Sequence, residues 1–551
     1  MNIFDSLERS RTDFPDKEAV IFDGTRITYN QLHERVCRLS SALQASYDIK
    51  QGDRVGLFLP NRPEFIASYY AVVRLGAVAV SLNVMFKRDE LKFILNDSEA
   101  RLLITTPQLL EQVPGATEVP SLEAILCAGK ADRAGVVELD RLIASVSHAV
   151  PKASLEKDAG VAILYTSGTT GNPKGVLLSY GNLISNVYAT QHHTKMACAD
   201  RLICYLPLFH CFGQNFIMNA SVNAGATLVL HERFQPDEIL HSIKSNAVTM
   251  FFGVPTVYSR LLTLPNIEEE LGTVRYYFTA AAPMPVGVVR QWRERFGAII
   301  YEGYGLTETS PFASYNHDYV YREGSIGSPI ENVEMKILDV QGRNLAPGEV
   351  GEIAIKGPNV MQGYFRRPEE TAQILRDGWF LTGDIGQMDA DGYFYLVDRA
   401  KDMINVSGFK VWPREVEEII MKHPGVGEVA VIGIPDTNSG EAVKAFAVSK
   451  EGWRVTEQEL TEFCRSRIAV YKAPRFFEFV DSLPRNPAGK ILKRELRVRE
   501  AALTPPSPRG RGGKKMAARN KPRNTEHSLI LCLGAHLSEL VPSPACGRGR
   551  G

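Results

Sequence analysis

The segment that most restricts this chain is 165–175, Y-T-S-G-T-T-G-N-P-K-G, entered from the apolar run Val161, Ala162, Ile163 and Leu164. A buried strand that opens into glycines, hydroxyls and one lysine has few uses. Gly168 and Gly171 let backbone N–H groups approach an anion, Thr166, Ser167, Thr169 and Thr170 carry hydroxyls that donate to phosphate oxygens, and Lys174 adds a compact positive charge. The pattern suits a polyphosphate. It is not a Walker loop, which needs a lysine followed by a hydroxyl at a helix start; here Pro173 precedes Lys174 and Gly175 follows it.

At 551 residues the chain exceeds what one core supports, and roughly two to four domains are expected. No run of apolar residues is long enough to span a bilayer, and Asp5, Glu8 and Arg9 stand where a signal peptide needs apolar sequence, so a cytoplasmic protein is expected. The eight cysteines are scattered without a C-x-x-C pair or zinc spacing. The net charge of zero divides unevenly: residues 501–551 hold nine Lys/Arg against two Asp/Glu, leaving 54 basic against 61 acidic before them. The mildly acidic body gives no reason to expect nucleic-acid binding. The tail, with its repeated Pro, Gly and Arg, lacks the means to bury a core and is expected to be disordered.

Along the body, Leu32, Val36, Leu39 and Leu43 recur on one helical face after Thr28, and 54–59 reads as a buried strand. A helix over 63–75 and a strand over 77–82 continue a strand–helix rhythm that runs to about 330. It argues for layered, largely parallel α/β sheets in a large N-terminal domain. Short strands over 334–338 and 351–356, between Gly/Pro turns, indicate a small β-rich subdomain. After Asp398 an α+β pattern follows: a helix over 414–423, strands over 429–434 and 445–449, a helix over 456–468 and a strand over 476–480. The boundaries expected are an N-terminal domain over 1–398, a hinge over 399–402, a small mobile α+β domain over 403–500 and a disordered basic tail over 501–551.

Further motifs converge on nucleotide chemistry. Tyr304, Thr307 and Glu308 lie in what reads as a loop after a strand over 298–301; an aromatic face stacks on a purine, and a carboxylate holds Mg²⁺ beside phosphates. Asp384 ends a short strand with an acceptor for ribose hydroxyls, Arg399 is a complementary donor, and Lys490 sits on a turn near the end of the fold.

These motifs, with P-L-F-H-C-F-G over 207–213 and the segment 398–417, occur in an order that resembles the adenylate-forming superfamily of acyl-CoA synthetases, luciferases and peptide-synthetase adenylation domains. The resemblance covers residues 1 to about 500, and S-G-F-K-V-W-P-R-E-V-E over 407–417 is most similar to medium- and long-chain fatty acid CoA ligases. It implies that 166–174 holds the β- and γ-phosphates of ATP, with Glu308 and Thr166 at Mg²⁺, Thr307 at the α-phosphate, Tyr304 on adenine, and Asp384 and Arg399 on ribose. Lys490 would bridge the acyl carboxylate and the α-phosphate, where a preorganised cation offsets charge developing in flight. Rotation about Lys401 would then withdraw Lys490 and bring Gly408 to the channel through which CoA enters.

The resemblance implies a two-step reaction: carboxylate and ATP give acyl-AMP and pyrophosphate, then CoA takes the acyl group and AMP leaves. His210 would lie near the acyl group, and 207–213 carries no carboxylate to pair an amino acid's amine. The segments around Phe216, Val254 and Ala281 offer apolar walls without charge, suited to a medium- or long-chain fatty acid, each buried CH₂ contributing about 0.8 kcal/mol. By the same resemblance, relatives often have glycine where Ala280 or Ala281 stands. Two other enzymes fit: an acyl-AMP ligase loading a carrier protein, and a CoA ligase for an aromatic acid. A catalytically silent nucleotide- or lipid-binding protein would have no chemical need for Lys490. Oligomeric state is not indicated; poorly soluble substrates would bring such an enzyme into transient contact with membranes.

Overall fold

The computed structural model describes residues 3–146, 150–166, 173–316, 320–407, 409–436, 439–486 and 489–503. The unit Met1–Ala501 is built from four sheets. The first has nine strands in the order Ser328–Pro329, Phe312–Tyr315, Ile300–Gly305, Tyr276–Thr279, Met250–Gly253, Arg201–Cys204, Thr227–Leu230, Glu18–Phe22 and Thr25–Thr28. The second has eight, with Gly160–Thr166 between Lys174–Ser179 and Val78–Ser81. Both are parallel through their middles and turn antiparallel toward an edge, as at Gly160–Thr166 against Lys174–Ser179 and Ile300–Gly305 against Phe312–Tyr315.

Helix Tyr29–Tyr47 starts where Thr28 accepts from the backbone N–H of Gln31 in a capping box, and Leu32, Val36, Leu39 and Leu43 are all buried on one face. Helix Pro63–Arg74 begins with proline in its first turn and is buried from Phe65 through Arg74, as expected of a helix enclosed within an α/β body. The β-rich subdomain is the sheet of Glu334–Leu338, Gly351–Lys356, Trp379–Met388 and Leu375–Arg376, with Phe394–Arg399 also paired to Trp379–Met388. After it, Gly440–Ser449 pairs with Val426–Asp436 and, in parallel, with Phe476–Phe479, covered by Pro413–Ile420 and Glu457–Arg465. The apolar clusters of this last part, around Val431 and Phe446, share no residue with those of the N-terminal sheets.

Three expectations from sequence are corrected. The strand expected over 298–301 is Ile300–Gly305, so Tyr304 lies on a strand and not in a loop. The strand bearing Asp384 does not end there but runs Trp379–Met388, with Gly383 at φ +69° supplying the irregularity. The last helix is Lys493–Leu503 and so crosses the boundary expected at 500; its buried Leu496 and the Lys444–Glu500 hydrogen bond lie before that boundary. The tail beyond Leu503 lies outside the described residues.

Candidate active site

The site forms where the ends of several strands meet. Tyr304 and Asp384 come from different sheets, and the Tyr304 hydroxyl donates to Asp384 Oδ2 at 2.8 Å. Asp384 faces Arg399 across two paired strands, and Arg399 Nε lies 3.0 Å from Asp384 Oδ1. The strand carrying Tyr304 fits only because of its glycines: a Cβ at Gly305 would fall 1.8 Å from the carbonyl oxygen of Pro311.

The next turn, Thr307–Thr309, is a short 3-10 segment in which Thr307 is half-buried and Glu308 buried. Glu308 Oε1 accepts from the Tyr364 hydroxyl at 2.9 Å, and burial pushes its carboxyl above the usual range. Thr166 and Lys174 are the last pair of the Gly160–Thr166 hairpin, next to its connecting segment. Lys174 forms an ion pair with Glu370 and stands 5.1 Å over the Tyr364 ring. Ser167, Gly168, Thr169, Thr170 and Gly171 lie outside the described residues, as does Gly408.

Lys490 reaches the same place from the C-terminal part. Its backbone N–H donates to Asn486 Oδ1 at 2.8 Å, and a Cβ at Gly489 would lie 2.9 Å from Val254 Cγ2, so this turn rests on the N-terminal part. Burial, then the Arg399 guanidinium, brings the Lys490 ammonium down to about 8. Burial, then the Lys490 charge, lowers His210 to about 4, so its imidazole is neutral at pH 7. His210 Nδ1 accepts from the Phe212 N–H at 3.2 Å, which leaves the proton on Nε2. Val254 is buried, and Ala281 is half-buried with φ +71°, a left-handed conformation that favours glycine. Lys401 is exposed on the turn Ala400–Asp402, and Asp402 accepts from Arg497 at 2.8 Å.

The structure thus brings together Tyr304, Asp384, Arg399 and Lys490, with Glu308 and His210 beside them. Sequence reasoning missed Glu370 and Tyr364, which engage Lys174 and Glu308. It also missed Glu302, a buried carboxyl pushed up to about 8 by burial and drawn down by Arg414. Their contacts are made across distant parts of the chain, where no local pattern signals them.

The profile of the AMP-binding enzyme family matches residues 7–365, and that of the AMP-binding enzyme C-terminal domain matches 415–490. A long-chain-fatty-acid–CoA ligase of Bacillus subtilis (strain 168) is 35% identical over 522 residues, covering 89% of this chain and 93% of that protein. A feruloyl-CoA synthase of Amycolatopsis sp is 38% identical over 488 residues, covering 88% and 96%. Among solved structures, an anthranilate CoA ligase in complex with anthranoyl-AMP superposes with a TM-score of 0.86 at 30% identity, covering 92% of this chain and 98% of that one. With the matched profile spanning most of the chain and the reacting side chains gathered at one point, the chain belongs to the AMP-binding enzyme family of the adenylate-forming superfamily and is an acid–thiol ligase.

Proposed function

We propose that the site activates a carboxylic acid with an uncharged, apolar acyl group as its adenylate and passes the acyl group to CoA. The carrying observation is that half-buried Lys490 and Arg399 share one environment beside buried Asp384. Two cations held this close have a purpose when an anion lies between them, and a carboxylate meeting an α-phosphate is such an anion. In the first half-reaction a carboxylate oxygen attacks the α-phosphorus, the bond to the β-phosphate oxygen breaks, and pyrophosphate leaves. Tyr304, Asp384 and Arg399 would orient adenosine, Thr307 the α-phosphate, and Thr166 and Lys174 the outer phosphates. Lys174 must exchange Glu370 for phosphate as ATP enters.

Glu308 and Thr166 fit a Mg²⁺ ion that takes most of its oxygen ligands from phosphate and water. Among the described residues no cluster of three His, Cys, Asp or Glu side chains could form a cage of protein ligands alone. Such an ion supplies charge neutralisation at the phosphates. In the second half-reaction the CoA sulfur forms a bond to the acyl carbon, the C–O bond to AMP breaks, and the thiol proton is lost to solvent. Rotation at Lys401 would replace Lys490 by Gly408 between the two steps.

His210 is neutral, and the walls at Val254 and Ala281 carry no charge that would pair a second carboxylate or an amine. Fatty acids fit this lining, as do the aromatic acids named for the feruloyl and anthranilate relatives. Among the described residues no helix is long and apolar enough to cross a membrane.

The test is incubation with ATP, Mg²⁺ and CoA across acids from acetate to oleate, including 4-coumarate and malonate, with AMP and acyl-CoA measured together. Equal amounts of AMP and thioester with an apolar acid are expected, and no turnover with malonate. Pyrophosphate release without thioester would instead identify an acyl-AMP ligase that serves a carrier protein.

A further inference from the structure

The lone cation of the phosphate motif, Lys174, is engaged from residues 362–371, a segment to which the reaction assigns no part. That segment is fastened to the strand Lys174–Ser179: the Gln362 N–H donates to the Leu177 carbonyl at 3.0 Å and the Phe365 N–H to the Gly175 carbonyl at 2.7 Å. Thr371 Oγ1 accepts from the Tyr364 N–H at 2.9 Å and so ties the helix Pro368–Ile374 to the same pairing. Glu370, in the first turn of this helix, forms the ion pair with Lys174; the lysine side chain is 14% exposed and that of Glu370 31%.

A second cation stands three residues back. Arg367 Nη1 lies 3.7 Å from Glu370 Oε1, and Arg367 Nε is buried with no hydrogen-bond partner among the described residues. Arg367 is itself held in place, because its Nη2 donates to Asp97 Oδ1 at 2.7 Å and Asp97 Oδ2 accepts from the Tyr165 hydroxyl at 2.7 Å. The Glu370 carboxylate thus has two cations within reach, one at the phosphate motif and one fixed beside it. Carboxylate and phosphate oxygens compete for the same ammonium protons, and a half-buried carboxylate displaced from one cation is stabilised where another waits.

We propose that Glu370 is an internal competitor of phosphate at Lys174: nucleotide phosphate displaces its carboxylate onto Arg367, and its return to Lys174 drives out pyrophosphate once the adenylate has formed. The inference rests on the CoA-ligase reading and adds to it a positioning residue for product release. No covalent bond changes in the exchange; Lys174 trades one anionic partner for another, and Glu370 stays paired throughout. A competitor that occupies Lys174 about nine times in ten weakens every phosphate ligand about tenfold. Weaker retention of pyrophosphate favours the forward direction, because pyrophosphate kept beside acyl-AMP would reverse the adenylation.

The experiment measures binding of ATP and of pyrophosphate, each with Mg²⁺, to the full chain by isothermal titration calorimetry, together with KM for ATP and inhibition by pyrophosphate in the CoA-ligase assay. The proteins are the unmodified chain, Glu370→Gln, Glu370→Ala and Glu369→Gln, with circular dichroism to establish folding. Both folded Glu370 variants should bind ATP and pyrophosphate about tenfold more tightly, with KM for ATP lowered about tenfold and kcat unchanged when pyrophosphatase removes the product. Glu369→Gln takes the same charge from an exposed neighbour in the same turn and should shift each value by less than about twofold. Unchanged or weaker pyrophosphate binding in the folded Glu370 variants would overturn the competition. So would an equal tightening in Glu369→Gln, which would reduce the effect to net charge. Absence of AMP from every acid would defeat the ligase reading itself; the calorimetry with pyrophosphate needs no turnover and so separates the two failures.

Discussion

At the Lys490 ammonium, burial and the neighbouring Arg399 set up two opposite pH dependences. The folded group releases its proton near pH 8, against 10.5 for an ordinary lysine, so between these values the unfolded chain binds more protons and stability rises with pH. Catalysis moves the other way, because the adenylation step needs the cation. ATP–pyrophosphate exchange is therefore expected to lose about tenfold in kcat/KM per pH unit above about 8, and substrate binding near that pH should draw in a proton, measurable as a buffer-dependent heat. Lys490→Ala should lower adenylation by about 10²–10³ while leaving CoA transfer from supplied acyl-AMP largely intact. Equal losses in both half-reactions would contradict the alternation of Lys490 and Gly408. Lys174, Tyr304, Glu308, Asp384 and Lys490 are singled out by the sequence because each stands in a short motif with glycine, and Arg399 because it lies in the charged run 398–402. Glu370, Tyr364 and Glu302 are not, because what marks them is a partner from elsewhere in the fold.

Among the elements, the junction between strand Phe394–Arg399 and helix Pro413–Ile420 carries the clearest consequence. Asp398 accepts from the Arg399 N–H at 2.7 Å and from the Arg414 N–H at 2.8 Å, the latter in the first turn of the helix, where a carboxylate is favoured. The Arg414 guanidinium also donates to the Leu396 carbonyl and faces buried Glu302. A rotation at Lys401 would have to release this clasp. Arg414→Ala should cost about 1–2 kcal/mol of stability in thermal melts and slow adenylation more than CoA transfer, as measured in separate half-reaction assays. Equal slowing would make Arg414 merely structural. The Tyr304 strand runs on past 301 because Gly303 and Gly305 let Phe278 and the Pro311 carbonyl approach it.

For the whole molecule, the helix Lys493–Leu503 decides where the chain can be cut. Removal of residues 504–551 is expected to leave melting temperature and CoA-ligase activity unchanged. A cut after Arg499 removes Glu500, which holds Lys444, and should lower stability by about 1 kcal/mol; a cut after Lys493 also removes buried Leu496 and should cost about 2–4 kcal/mol more. Differential scanning calorimetry of the three truncations checks the order. By itself the sequence determined the layered α/β class, the separate α+β pattern after Asp398 and the order of the nucleotide motifs, because hydrophobic period and glycine–hydroxyl chemistry are local properties of a chain. Only the tertiary structure decided which charges share a site and which aromatic rings pack together. The Lys490 shift depends on Arg399 and Asp384, and the packed rings of Phe212, Phe216, Phe278 and Phe312 come from three separate segments. Such effects arise from burial and from contacts between residues far apart in sequence, and no window of neighbouring residues contains them.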